Sequence, residues 1–370
     1  MMRCMKFVKR SIKYLALIVA LGLVVISLPD GAQAASGFNP KRIKILIGFP
    51  PAGGHDLEAR VIARHLPKYF RGKPSIIVQN MPGAGGKIMG AYIYNRSKPD
   101  GTTAAIFGSS QVQENILGAG VEYDVRDMPI VWAVRSVRVG IVRDFLKAKT
   151  VKDLATIDPS KIAVAGRSKT DSSCVTGTMA LTLLGIKNFK RVCAYAGTAV
   201  IRGAVERGEA SFFEASDPHF LGQGAFVEMY KKGMVVQMWQ SGQVTEDGKI
   251  VRAKTVNKNT PTFQEAYRAV HGKDPSGPLW EAFRKVYNDV HSTLTRTLVL
   301  PPGTPGNIVN ALRENIESMS NDPAFVKDWE KVFGQEFANA RVPALEAEKV
   351  KDELMKPAPW QDTFKKFVGM

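Results

Sequence analysis

The chain has 370 residues, 45% hydrophobic and 23% charged, and its 51 Lys and Arg outweigh 34 Asp and Glu for a formal net charge of +17. That length points to two domains, and the basic surplus attracts anions. The basic residues are dispersed and match no nucleic-acid-binding motif, so small anionic solutes are the expected partners and nucleic acid is not.

At the start, Arg3, Lys6, Lys9, Arg10 and Lys13 precede Tyr14 to Pro29, an uncharged and mostly apolar run of 16 residues, and Ala32-Gln33-Ala34 follows. A basic region, a short apolar core and a small-x-small site are the order of a secretory signal, cleaved here after Ala34. The run is short of the roughly 20 residues a spanning helix requires. Cys4 precedes it and so is no lipoprotein acceptor, and nothing later resembles a transmembrane segment. Cleavage removes five basic residues and Asp30, leaving a periplasmic chain of 336 residues with a charge of +13.

Lys44 to Phe49 reads as a strand and Asp56 to Tyr69 as a helix, joined by Pro50-Pro51-Ala52-Gly53-Gly54-His55. Two prolines and two glycines stop the strand and set backbone N–H groups at a helix N-terminus, where partial positive charge collects. That is a place to hold an anion. Ser75 to Gln79 is the next strand, Gly83 to Asn95 a glycine-led helix, and Thr103 to Gly108 a third strand. This alternation predicts a parallel α/β sheet, with ligands at the carboxyl ends of its strands.

Val131 to Val142 is a β-rich run long enough to pass from one domain to another. A second alternation follows: Lys161 to Ala165 (strand), Cys174 to Leu184 (helix), Arg191 to Tyr195 (strand), Val200 to Arg207 (helix) and Ser211 to Phe213 (strand). Gly233 to Trp239 reads as a strand returning toward the first domain. From Leu298 a strand, a Pro/Gly turn and a strong helix lead into a helical, charged C-terminal region. Two such halves with facing loops describe a clamshell closing on a solute. The expected domains are 35–140 plus 245–370 and 141–244, after the 1–34 signal.

Pro82 to Lys87, PGAGGK, fails the phosphate loop at both ends, since Met81 stands at the first glycine position and Ile88 follows the lysine. The dinucleotide fingerprint fails as well, because Ile88 holds its third glycine position. There is no G-x-S-x-G elbow. His55 and Asp56 are adjacent on one turn and have no marked nucleophile; Asp56 stands where a helix N-cap belongs. Five separated histidines give no zinc pattern. Neither metal, cofactor nor catalysis is expected.

What survives is binding. Backbone groups of Pro51, Ala52, Gly53 and Gly54, the hydroxyls of Ser109, Ser110, Ser168, Thr170 and Thr198, and the Tyr195 phenol form a neutral donor set, with Arg167 and Lys169 as cations. Such groups fix a carboxylate without transforming it. Arg167, the only arginine in its loop, either grips a second carboxylate or faces solvent; Tyr195, Thr198 and Asp217 are the other candidates for selectivity. Cys174 and Cys193, the cysteines left after export, form either a disulfide or two buried thiols.

In order, PPAGGHDLEAR, IIVQNMPGAGG, KPDGTT, VEYDVRDM, KIAVAGRS, AYAGTAVIRGAVERGEASFF, TPTFQEAY and LVLPPGTPGNIVNAL resemble the periplasmic receptors of tripartite tricarboxylate transporters, also called the Bordetella-uptake-gene or tricarboxylate-receptor family. The resemblance spans nearly the whole mature chain and implies a two-domain Venus-flytrap fold closing on a small carboxylate. It further implies that Pro51 to Asp56, with His55, bind a carboxylate through main-chain groups and ordered waters. Gly166 to Ser173 and the turn Tyr195 to Thr198, with Gly197, would face it from the other domain. The chain would be a monomeric soluble receptor for an integral membrane permease. Where family members often carry a histidine after the second-domain loop, GRSKTDSSCV has a cysteine. The alternative is an exported enzyme or a sensor subunit acting on an acidic small molecule.

Overall fold

The computed structural model describes residues 37–216, 226–245, 247–334 and 336–370. The predicted signal segment and Asp217 lie outside these residues. The first elements are β1 (Arg42–Ile47), α1 (Gly54–His65), β2 (Ser75–Asn80), α2 (Lys87–Arg96), β3 (Thr103–Gly108), α3 (Ser109–Leu117), β4 (Ile130–Val134) and β5 (Arg138–Arg143). Then come α4 (Val151–Thr156), β6 (Ala163–Gly166), α5 (Ser172–Leu183), β7 (Lys190–Cys193), α6 (Thr198–Glu206), β8 (Phe212–Ser216), α7 (Val227–Lys231) and β9 (Val235–Gln240). A small hairpin, β10 (Gln243–Val244) with β11 (Ile250–Val251), precedes α8 (Phe263–His271), α9 (Pro278–Arg284), β12 (Arg296–Val299) and α10 (Gly306–Ser320). The chain ends in α11 (Pro323–Phe333), α12 (Phe337–Ala340), β13 (Arg341–Val342), α13 (Ala344–Met355) and α14 (Pro359–Val368).

The strands form a six-stranded sheet in the order β13-β4-β12-β3-β1-β2 and a five-stranded sheet in the order β7-β6-β8-β5-β9. Alternating strands and helices produce the parallel portions, β2-β1-β3 and β7-β6-β8. Both sheets are nevertheless mixed, not parallel throughout. β12 runs antiparallel to β3 and β4, and β5 runs antiparallel to β8 and β9. The Val131 to Val142 run is two strands: β4 in the first sheet and β5 in the second, parted by Arg135-Ser136-Val137. The predicted returning strand is β9, which stays in the second sheet beside β5.

Apolar packing explains why these segments settle as they do. Every residue of β4 and β5 is buried, which accounts for the apolar run of β4 and for the apolar centre of β5 between Arg138 and Arg143. Trp132 of β4 stacks on Phe337, with ring centroids 5.6 Å apart, and meets Phe325 and Trp329 edge-on. A second aromatic group joins Trp239 of β9 to Phe263, Phe283 and Tyr287. α8 starts at a reciprocal cap: the Thr262 hydroxyl accepts from the Glu265 N–H, and the Glu265 carboxylate accepts from the Thr262 N–H.

Cys174, on the first turn of α5, is disulfide-bonded to Cys193 at the end of β7, with Cα atoms 5.9 Å apart. Gly166, at the end of β6, lies so close that a Cβ there would fall 2.5 Å from the Cys174 Cβ. Closing a loop of this span stabilises by about 3 kcal/mol in the chain-entropy description. Unreduced protein treated with an alkylating agent should show neither Cys174 nor Cys193 modified by peptide mass spectrometry; two alkylated cysteines would disprove the bond.

Candidate functional site

Parallel strands bring their carboxyl ends to one edge of a sheet, and an antiparallel neighbour begins at that same edge. β3 ends at Gly108, which lies in register with Arg296, the first residue of β12. β8 ends at Ser216, in register with Arg138, the first residue of β5. Each strand pair thus delivers a strand-end loop and an arginine to the same place. The two places meet in a cavity of about 40 Å³ lined by Gly54, His55, Ser109, Arg138, Arg167, Thr198 and Arg296, with Gly108, Ser173, Phe213, Ala215, Ser216 and Thr295. That is room for roughly three waters. An organic acid enters only if the walls part.

The first wall is the turn into α1. Ala52 takes a left-handed φ of 63°, and Gly53 is the N-cap residue with no side-chain cap. The expectation that Asp56 caps the helix is corrected here. Asp56 lies inside the first turn and reaches back to the Ala52 N–H at 2.9 Å, while also accepting from Arg60 and Asn80. Burial pushes its pKa up, but Arg60, the Ala52 N–H and Asn80 outweigh that and hold it below the usual range. The Ala52 N–H and the Asp56 carboxylate are therefore engaged with each other. Pro51 and Ala52 are exposed, and the cavity is bounded by Gly54 and His55 of this turn. The His55 ring packs on Phe49 with centroids 4.6 Å apart.

Beneath Gly54 lies Arg296. A Cβ on Gly54 would sit 3.1 Å from its Nη2. Arg296 Nη1 donates to Glu58 at 3.0 Å, and the other Glu58 oxygen accepts from the Trp132 indole at 2.8 Å. Burial raises the Glu58 pKa, opposed by Arg296 and Trp132.

The second wall is the loop from β6 to α5. Asp171 is its N-cap and accepts from the Ser173 N–H at 2.9 Å. Arg167 Nη2 lies 2.7 Å from the Asp171 carboxylate and donates to Ser110 at 3.1 Å, and its guanidinium sits 4.7 Å from the Phe49 ring centre. Arg167 therefore faces the cleft and not the solvent. Burial pushes Asp171 up, but Arg167, Ser110 and Ser173 outweigh it and hold the carboxylate low. Ser110 also donates to Asp171 at 2.6 Å, and Ser109 and Ser110 both lie within hydrogen-bond distance of Ser172. The N-terminus of α3 is thereby tied to the N-terminus of α5.

Thr170 is placed beside the cleft, donating to Glu114 at 2.9 Å and accepting from Lys87 at 3.3 Å. The Ser168 hydroxyl lies 3.4 Å from that of Thr170. Tyr195 is half-buried against an apolar cluster that includes Val137, Ile201 and Phe213. A Cβ on Gly197 would lie 3.4 Å from the Pro50 ring, so Gly197 approaches the first wall beside the cavity, while Thr198 of the same turn lines it.

Arg138 and Arg296 escaped the sequence reading. It looked for polar residues after parallel strands, whereas these stand at the start of antiparallel ones. The signal was present, because an arginine heads each of the apolar stretches RVGIVR and RTLV. His291 is a third missed group: buried, its ring nitrogens find no hydrogen-bond partner among the described residues. Burial, and then Arg138 and Arg167, hold its pKa well below the usual value, so the ring is neutral. Among the described residues no cluster of three or more His, Cys, Asp or Glu is placed to hold a metal ion, and no helix is long and apolar enough to cross a membrane.

The two glycines of the turn differ in what surrounds them. A Cβ on Gly53 meets only the Pro50 carbonyl oxygen, at 3.6 Å, so Gly53→Ala should cost about 1 kcal/mol or less as a poorer cap. Gly54→Val drives into Arg296 and should cost about 1–3 kcal/mol. Urea denaturation of both variants checks this; equal midpoints would contradict the packing. Burial pushes the Glu114 pKa up to about 7, opposed by Lys87. Between its ordinary value of 4.5 and 7, the folded state keeps a proton that the unfolded state has released. Stability should therefore fall as pH rises through that window, by up to about 1.4 kcal/mol per unit from this group. Glu114→Gln should flatten the curve there, as measured by denaturation at pH 5, 6, 7 and 8; parallel curves would refute it.

No family model matches the chain. Two curated relatives match part of it: Protein BugT of Bordetella pertussis, 35% identical over 95 residues, and a UPF0065 protein in the gbd 5′ region of Cupriavidus necator, 40% identical over 86 residues. The matched stretches are 25% and 23% of this chain and 28% and 24% of those proteins, so the chain spans about a quarter of the length of the curated relatives it matches. Among solved structures, the periplasmic binding protein BugD superposes with a TM-score of 0.65 at 20% identity, over 89% of this chain and 98% of its own. MatC from Rhodopseudomonas palustris with bound malate gives 0.64 at 18%, over 88% and 98%. A second R. palustris protein, with adipate, gives 0.65 at 17%, over 89% and 97%. The fold is that of two-domain periplasmic binding proteins.

Proposed function

We propose, for a chain whose motif order and fold resemble those of the Bordetella-uptake-gene, or tricarboxylate-receptor, family, that it is an extracytoplasmic receptor for a small organic carboxylate and not an enzyme. The observation that carries this reading is the convergence of the buried Arg138 and Arg296, the nearly buried Arg167 and a helix N-terminus on one cavity between two sheets. A helix N-terminus suffices for one carboxylate, and guanidinium groups grip others. The malate and adipate in two structures of the same fold support the ligand class.

The cleft lies between a lobe built on the six-stranded sheet and a lobe built on the five-stranded sheet, to which all of β5 belongs, and closes by their hinged approach. Export follows from the N-terminal signal pattern, and the periplasmic partner is a membrane permease of the tripartite tricarboxylate type. Thermal-shift screening of mono-, di- and tricarboxylates, aromatic acids and acidic amino acids tests the reading. A small carboxylate should raise the melting temperature, equivalent to about 2.7 kcal/mol at a hundred times its dissociation constant. Stabilisation by sugars or cationic compounds alone would overturn it.

A further inference from the structure

The three arginines of the cleft are not equivalent. Arg296 is paired with Glu58 at 3.0 Å, and Glu58 is fixed in turn by Trp132. Arg167 is paired with Asp171 at 2.7 Å, bonded to Ser110 and laid over Phe49. Arg138 has no such partner: among the described residues no carboxylate lies within ion-pair distance of it. Its Nη2 donates to the Glu214 main-chain carbonyl at 2.8 Å, and its Nε, though buried, has no hydrogen-bond partner. The residue is 8% exposed and lines the cavity.

The carboxylate of Glu214 is occupied elsewhere, by the Thr176 hydroxyl and by the Trp239 indole at 3.2 Å. The neighbouring His291 is neutral and brings no negative charge. A buried guanidinium with an unused donor is costly unless something else meets its charge. Glu214 and Asp171 favour the Arg138 charge from farther off, and the cavity that Arg138 lines gives an anion a way to meet it directly.

We propose that Arg138 receives the second carboxylate of a dianionic ligand whose first carboxylate rests on the N-terminus of α1, and that Arg167 instead braces the second wall of the cleft. This rests on the carboxylate-receptor reading above and narrows it to dicarboxylates. It also moves the selectivity role to a residue at the head of an antiparallel strand, away from Arg167, which was one of the candidates from the sequence. Arg138 is placed for it by the strand register opposite Ser216, with its own N–H held by the Ser241 hydroxyl at 3.0 Å.

Isothermal titration of the full mature chain with malate against lactate, and with adipate against hexanoate, tests the assignment. Each pair differs in its second carboxylate. In Arg138→Met the dicarboxylate of the preferred pair should bind about thirty-fold or more weakly, while the matched monocarboxylate changes by less than about three-fold. Arg138→Lys, which keeps the charge without the fork, should recover part of the preference. Arg167→Met should weaken both members of the pair alike. Circular dichroism and melting curves establish that each variant is folded, and the lysine variant supplies the comparison if the methionine variant is not. Dicarboxylate binding with an unchanged preference in both Arg138 variants would overturn this assignment alone. No carboxylate binding by the wild-type protein would overturn the receptor reading along with it.

Discussion

A buried guanidinium costs several kcal/mol unless its charge is met, and this fold sets two of them, Arg138 and Arg296, around one small cavity beside the nearly buried Arg167. Most of the polar architecture nearby follows from that requirement. Glu58 is sequestered under α1 because Arg296 needs it, and Trp132 is held by the same carboxylate. Asp171 is the cap of α5 and the counter-charge of Arg167 at once, so a helix start and an ion pair share one side chain. Glu214 lies beneath Arg138 but gives its carboxylate to Thr176 and Trp239. Among the described residues, Arg167 and Arg296 stand at ion-pair distance from a carboxylate, while Arg138, favoured by Glu214 and Asp171 only from farther off, lines the cleft.

Strand direction decides where those charges stand. In a wholly parallel sheet the strand starts lie at the far edge from the ligand. Reversing β5 and β12 brings their first residues to the functional edge, opposite Ser216 and Gly108. The same reversal makes the cavity wall from strands as well as loops, which fixes its side chains more firmly than loops alone.

The parallel parts were legible in the sequence because period and punctuation coincide there: apolar runs of about six residues, each closed by glycine, proline or serine. Thr103–Gly108 was placed to the residue, and α1, α2, α5 and α6 were recognised with ends displaced by a few positions. The reversal was not legible, since a buried antiparallel strand shows the same unbroken apolar run as a buried parallel one. That is why Val131 to Val142 read only as a long β-rich run crossing between domains, and its division into two strands in different sheets was not seen. Arg138 and Arg296 were hidden for the same reason. Asp56 misled differently: an acidic residue at the start of a helix reads as a cap, and only coordinates show that it reaches back from within the first turn.

The Cys174–Cys193 bond joins the loop that carries Arg167 and Ser173 to the strand that leads into Tyr195 and Thr198. Pairing of β6 with β7 and the Tyr195 N–H to Gly166 carbonyl bond already hold these segments side by side, and the disulfide adds a covalent tie. A motion that admits a ligand on this side therefore carries the two segments together.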